Sequence, residues 1–182
     1  MGRLINRTDA RMLDRLRVRY LPAEDRLELR VFVKEPTRTF RLHVTRRLAH
    51  LWLQQLAKVL EASAGTTPGT PAALRSAAAA TNHEALAAKV ALSRSAADTD
   101  TGEAEAMPKL VTRVDCGKVR NERRWVLRFE FGEGDPLSLT LAPETLHGVI
   151  ELVVGQLQVA DWRLPLPPIR DVPPEGTPRP LH

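Results

Sequence analysis

Cysteine is nearly absent. Cys116 is the only one in 182 residues, so no internal disulfide can form and the chain suits a reducing compartment. No apolar run approaches the roughly 20 residues that a bilayer span requires. The amino-terminus reads Met1-Gly-Arg-Leu-Ile-Asn-Arg7, and no apolar stretch follows it as a signal peptide would demand. The expectation is a soluble, cytoplasmic protein with no membrane partner. Catalytic motifs are also missing: there is no Gly-rich phosphate loop, nucleophile elbow or paired-carboxylate motif. No pair among His43, His50, His83, His147 and His182 has the spacing of a zinc site on one helix, and a second cysteine is lacking. Cys116, followed by Gly117, has no base beside it in sequence and reads as a small hydrophobe at a strand end. Glu144 and His147 lie three apart, a spacing common in contacts on a helix surface. The sequence therefore predicts no metal, no cofactor and no enzymatic activity.

What is present fits a folded domain. The hydrophobic set makes up 43% and charged residues 27%, which excludes collagen, coiled-coil rods and disulfide-rich scaffolds. The length allows one domain, or two small ones sharing a core. Charge is unevenly placed. Residues 1–60 hold 14 Lys/Arg against 6 Asp/Glu, a net +8. Residues 61–108 hold 3 against 6, a net −3, and residues 109–182 hold 10 of each. The basic excess belongs to the first third, which would attract phosphate, acidic protein or anionic lipid.

Period-two alternation marks three strands between residues 15 and 45. Leu16, Val18 and Tyr20 alternate with Arg15, Arg17 and Arg19. Leu27, Leu29, Val31 and Val33 alternate with Arg26, Glu28, Arg30 and Phe32. Phe40, Leu42 and Val44 alternate with Arg41 and His43. Pro22–Asp25 and Glu35-Pro36-Thr37 supply turns. Leu48, Leu51, Trp52, Leu56, Val59 and Leu60 then share a helical face, with Thr45 as its N-cap and Gly65 beyond its end. The plan recurs. Trp125, Leu127, Phe129 and Phe131 alternate, as do Leu137, Leu139 and Leu141, and Leu146 to Leu157 form an apolar helical face after Pro143. Residues 110–116 make a first strand of weaker alternation. Leu29 matches Leu127, Arg30 matches Arg128 and Leu48 matches Leu146, each 98 positions apart, with a second hairpin one residue shorter.

The expected fold is α+β: a strand-strand-strand-helix unit duplicated about a pseudo-twofold. Residues 1–62 form the basic first unit and 109–162 the second. Residues 63–108 form an Ala-rich linker, with helical propensity over Ala73–Ala80 and His83–Ala91 and a flexible acidic stretch over 95–107. Residues 163–182 form an extended Pro-rich tail containing Pro165-Leu-Pro-Pro168-Ile-Arg170, the form of a polyproline ligand. Each unit is marginal alone, so the two should share one core, within a chain or across a homodimer.

Two features of the first unit are candidate binding surfaces. The polar side of its strands presents Arg15, Arg17, Arg19, Arg26, Arg30, Arg41 and His43 against Glu28, with Phe32 on the same side. A basic sheet with an exposed aromatic can stack single-stranded bases while neutralising phosphates. The plainer alternative is a solvated face, or one covered by the acidic middle segment. At the helix start, Arg46 and Arg47 oppose the helix dipole, whereas the second unit carries Pro143 and Glu144 there. With Arg41 they form a candidate anion site.

The layout resembles that of Pur-type and Whirly-type single-stranded nucleic-acid binders, over about 100 residues and without a shared motif. Those proteins have four strands before each helix, against three here. The resemblance implies nucleic-acid binding and carries over no residue. The leading expectation is a non-enzymatic adaptor or assembly subunit that docks an acidic protein partner on its Arg-rich first unit. The competing one is a single-stranded nucleic-acid binder using the same face.

Overall fold

A computed structural model describes residues 10–34, 36–67, 69–87, 107–119 and 122–165. Three strands come first: β1 (Ala10–Leu21), β2 (Arg26–Lys34) and β3 (Thr37–Thr45). Two helices follow, α1 (Arg46–Ser63) and α2 (Ala72–Ala87). The chain resumes with β4 (Lys109–Lys118), β5 (Trp125–Phe131), β6 (Leu137–Leu141) and α3 (Pro143–Ala160). The architecture is mixed α+β, with three strands ahead of each of the two long helices.

Each set of three strands is an antiparallel meander. Two short parallel seams join the sets into a closed ring of order β1-β2-β3-β4-β5-β6. At one seam Leu42 and His43 face Lys109 and Leu110; at the other Ala10, Arg11 and Met12 face Ser138, Leu139 and Thr140. The second seam explains why β1 starts well before the alternation read from Arg15. Its first residues take their partners from β6, which lies more than 120 positions away.

The registers of the two meanders run in step. Leu16 opposes Val31 and Val114 opposes Phe129, each 98 positions on. The register slips between Leu13 and Arg15 in β1, and 98 positions later between Val111 and Arg113 in β4. A bulge adds a residue to one strand and breaks its period-two pattern. That is why the alternation of β4 is weak in sequence. After the second hairpin the offset drops to 97: Leu29 opposes Leu42 while Leu127 opposes Leu139, and the helices begin at Arg46 and Pro143. Leu48 therefore corresponds to Thr145, and Ala49 to Leu146. The match of Leu48 with Leu146 is corrected, because the shorter hairpin shifts every later position by one.

The apolar sides of all six strands and the apolar faces of α1 and α3 meet in one core. Trp52 of α1 meets Phe129 of β5 edge-on, with ring centroids 5.9 Å apart. Such a pair contributes about 1 kcal/mol beyond its burial. Both long helices pack against α2, and among the strands each leans on the other set of three: α1 more on β4 than on β3, and α3 more on β1 than on β6. Helix glutamines reinforce this exchange. Gln55 Nε2 donates to the Val114 carbonyl and Gln55 Oε1 accepts from Cys116 N, while Gln156 Oε1 accepts from Tyr20 N.

The helix ends follow the sequence. Thr45 caps α1, its hydroxyl accepting from Leu48 N at 3.3 Å, and Gly65 follows with φ 65°. Pro143 occupies the first turn of α3. The middle segment differs from the expectation of two helical stretches: α2 runs unbroken from Ala72 to Ala87, and residues 88–91 of the second stretch lie outside the described residues. Thr81 does not interrupt it, because its hydroxyl donates to the Ala77 carbonyl at 3.1 Å. The acidic stretch 95–106 and the tail from residue 166 lie outside the described residues. Among the described residues no helix is long and apolar enough to cross a membrane.

Candidate anion-binding face and a buried histidine pair

The register of β1, β2 and β3 arranges the basic side chains in rungs. Arg17 opposes Arg30, and Arg30 opposes Arg41, so three arginines stand side by side across three strands. On one flanking rung Arg19, Glu28 and His43 are opposed; on the other, Arg15, Phe32 and Thr39. Like charges directly opposite destabilise a sheet by up to about 1 kcal/mol per pair. Glu28 supplies the compensation. Its side chain is 1% exposed, and it accepts from Arg19 Nη2 at 3.0 Å, Arg30 Nε at 3.1 Å and Arg41 Nη2 at 2.7 Å. Arg41 Nε reaches the same carboxylate at 3.1 Å, and His43 Nε2 lies 3.7 Å away. Burial pushes the Glu28 carboxyl upward, but hydrogen bonds and charge from Arg41 and Arg30 overcome this and hold it below the ordinary range. Glu28 is the hub that orients the guanidinium groups. In sequence it is merely one acid among arginines.

Phe32 is not an open platform. The Arg15 guanidinium lies over its ring at 4.1 Å from the centroid, with Arg17 at 5.9 Å. These cation–π contacts occupy a face that a base would need. The corresponding side of the second meander is electrically balanced. Arg113 pairs with Asp115 at 2.8 Å and Arg128 with Glu130 at 3.3 Å. The position 98 beyond Glu28 is Val126, which is buried.

Arg46 and Arg47 stand apart from this hub. Both are exposed at the start of α1, whose first turn holds no acid. Arg46 Nη2 donates to the Trp162 carbonyl at 2.8 Å. Trp162 in turn donates from Nε1 to Asp25 Oδ1 at 2.6 Å and meets the Tyr20 ring edge-on. Hydrogen bonds from Trp162 and Tyr20 hold the Asp25 carboxyl low. Arg46 thus ties the chain after α3 to the start of α1, and Trp162 ties it to the β1–β2 turn.

The thiol of Cys116 lies in β4, and burial raises its pKa to about 12, far from a nucleophile's range. His147 does not make the helix-surface contact with Glu144 suggested by their spacing. It is fully buried, and its Nδ1 lies 2.7 Å from Nδ1 of His83 on α2. His83 Nε2 lies 3.1 Å from Glu151 Oε1. The two histidines are 64 positions apart, so no spacing rule could join them. Among the described residues no group of three or more ligand-type side chains is placed to hold a metal ion. The chain matches no protein-family model, no curated protein and no solved structure.

Proposed function

We propose that this protein is a non-enzymatic adaptor or assembly subunit whose basic three-strand face docks an acidic segment of a protein partner. The observation that carries the reading is the rung Arg17–Arg30–Arg41, of which Arg30 and Arg41 are braced by the buried Glu28. Guanidinium forks held by a buried carboxylate are pre-organised, so little conformational entropy is lost when partner carboxylates arrive. Carboxylates need no stacking surface. The cover of Arg15 over Phe32 therefore favours an acidic protein over single-stranded nucleic acid.

The same proposal holds that the halves are copies of one duplicated unit about a pseudo-twofold. The shared register, the bulge at the same place and the two parallel seams support it. One copy would then have specialised: Glu28 stands where the other has Val126, and Arg17 where the other has Asp115. A cytoplasmic site of action rests on the single unpaired Cys116.

The test is fluorescence polarisation with two labelled probes, an oligo-glutamate peptide and a mixed-sequence single-stranded DNA, at low and near-physiological salt. The expected result is binding of the peptide, weakened at least ten-fold by Arg17→Ala with Arg15→Ala in a protein of unchanged circular dichroism. Tighter binding of the DNA, with a log–log salt slope of about −0.7 per phosphate contact, would replace the reading with nucleic-acid recognition. Binding of neither probe at low salt would remove the basic face as a docking surface.

A further inference from the structure

α2 is 16 residues long, yet only Ala79 and His83 are buried. So small a buried face contributes little hydrophobic attachment. Its polar ties are specific. Asn82 Nδ2 donates to Ser63 Oγ of α1 at 3.2 Å. His83 faces His147 at 2.7 Å and Glu151 at 3.1 Å, both on α3. The two rings are tilted by 35°, with centroids 5.0 Å apart.

The hydrogen-bond logic admits one arrangement for two neutral rings. The Glu151 carboxylate only accepts, so His83 Nε2 carries a proton and donates to it. His83 Nδ1 is then a bare acceptor, and His147 Nδ1–H donates to it. That leaves His147 Nε2 without a proton, buried and without a partner. An added proton has two places to go. On His83 Nδ1 it sets two N–H groups against each other at 2.7 Å. On His147 Nε2 it puts a charged donor where nothing accepts it. The first breaks the hydrogen bond between α2 and α3, and the second keeps that bond but buries a charge without a partner, so either disfavours the docked arrangement.

We propose that His83 and His147 form a proton-operated latch, which holds α2 against α3 at neutral pH and releases it as the pH falls. The charged groups acting on the pair come from α3: Glu151 on His83 and Glu144 on His147. Burial is the main cause that lowers both rings. Glu151 opposes it at His83; at His147 the charge of His83 adds to it and the pKa falls to about 4. Released rings return to the ordinary value near 6.5. A lowered docked pKa means that the latch is fully effective above 6.5 and lost as the pH falls toward 4. Docking of α2 weakens by on the order of ten-fold between pH 7 and pH 5. The latch is independent of the basic face, so failure of either reading leaves the other standing.

The test is hydrogen exchange by mass spectrometry on the full chain from pH 7 to pH 4.5, corrected for intrinsic exchange. Peptides from 72–87 should lose protection as the pH falls, while peptides from 26–34 and 125–131 keep theirs. The double variant His83→Gln, His147→Asn retains amide donors and acceptors but cannot titrate, and its α2 protection should be independent of pH. Unchanged α2 protection in the wild type, loss in step with the strands, or an undiminished pH dependence in the variant would each overturn the latch. If the variant leaves α2 unprotected at pH 7, the imidazole resonances of the wild type decide. Both rings titrating below pH 6, together with loss of α2 protection, support it; titration near 6.5 overturns it.

Discussion

Glu28 is the residue on which the basic face depends. A carboxylate that is 1% exposed among three arginines is stabilised by its partners more than burial penalises it. Removing one member of such a group leaves half-buried charges without compensation, which typically costs about 3 kcal/mol or more. Glu28→Gln keeps the shape and removes the charge, so urea denaturation at pH 7 should show a loss of about 3 kcal/mol. The pH dependence follows with a definite sign. The folded pKa of Glu28 lies below the ordinary 4.5, so its contribution is complete above 4.5 and disappears as the pH falls through the lower value. The variant should lack this acid-side loss, yet retain the loss between 6.5 and 4 that belongs to the histidine pair. An unaltered acid limb in Glu28→Gln would show that the carboxylate is not ionised in the fold. Sequence alternation put the arginines on one side, but which carboxylate they share depends on register across β1, β2 and β3.

At the scale of elements, the start of α1 separates two neighbouring arginines that look equivalent in sequence. The first turn of α1 has no acid to favour the dipole. Arg47 is exposed, so Arg47→Glu should stabilise by about 0.5 kcal/mol through the helix dipole. Arg46 also lies at the helix start, but its guanidinium holds the Trp162 carbonyl and lies close enough to help keep Asp25 ionised. Arg46→Glu loses that tie and faces Asp25 with a second negative charge, so it should lower the melting temperature. Thermal unfolding of the two single variants side by side distinguishes them; equal shifts would mean that Arg46 and Trp162 are not coupled. The strands, the two long helices, the Thr45 cap and the Pro143 start were legible because period, caps and turns are local. The extension of β1 and the continuity of α2 were not. The first residues of β1 pair with β6, and α2 takes a buried polar anchor from α3.

For the whole molecule, the exchange of helices sets cooperativity. Among the strands α1 packs more on β4 than on β3, and α3 more on β1 than on β6, so each long helix loses its main strand cover when the halves are separated. Fragments 1–100 and 101–182, produced separately, should each lack a cooperative thermal transition by circular dichroism. Mixed in equal amounts, they should regain one, because the ring closes only when both seams form. A cooperative transition in either fragment alone would show that its core is self-sufficient.

The sequence alone determined the kinds of element, their order and the side of each strand that is basic. These follow from side-chain periodicity and from caps, which act over a few residues. Only the tertiary structure decided how the strands close into a ring, which carboxylate gathers the arginines and which histidines meet. Those outcomes depend on pairings between residues far apart in the chain. His83 and His147 are brought within 2.7 Å only because α2 settles against α3. No local pattern encodes that contact, since each histidine taken alone is an ordinary helical residue.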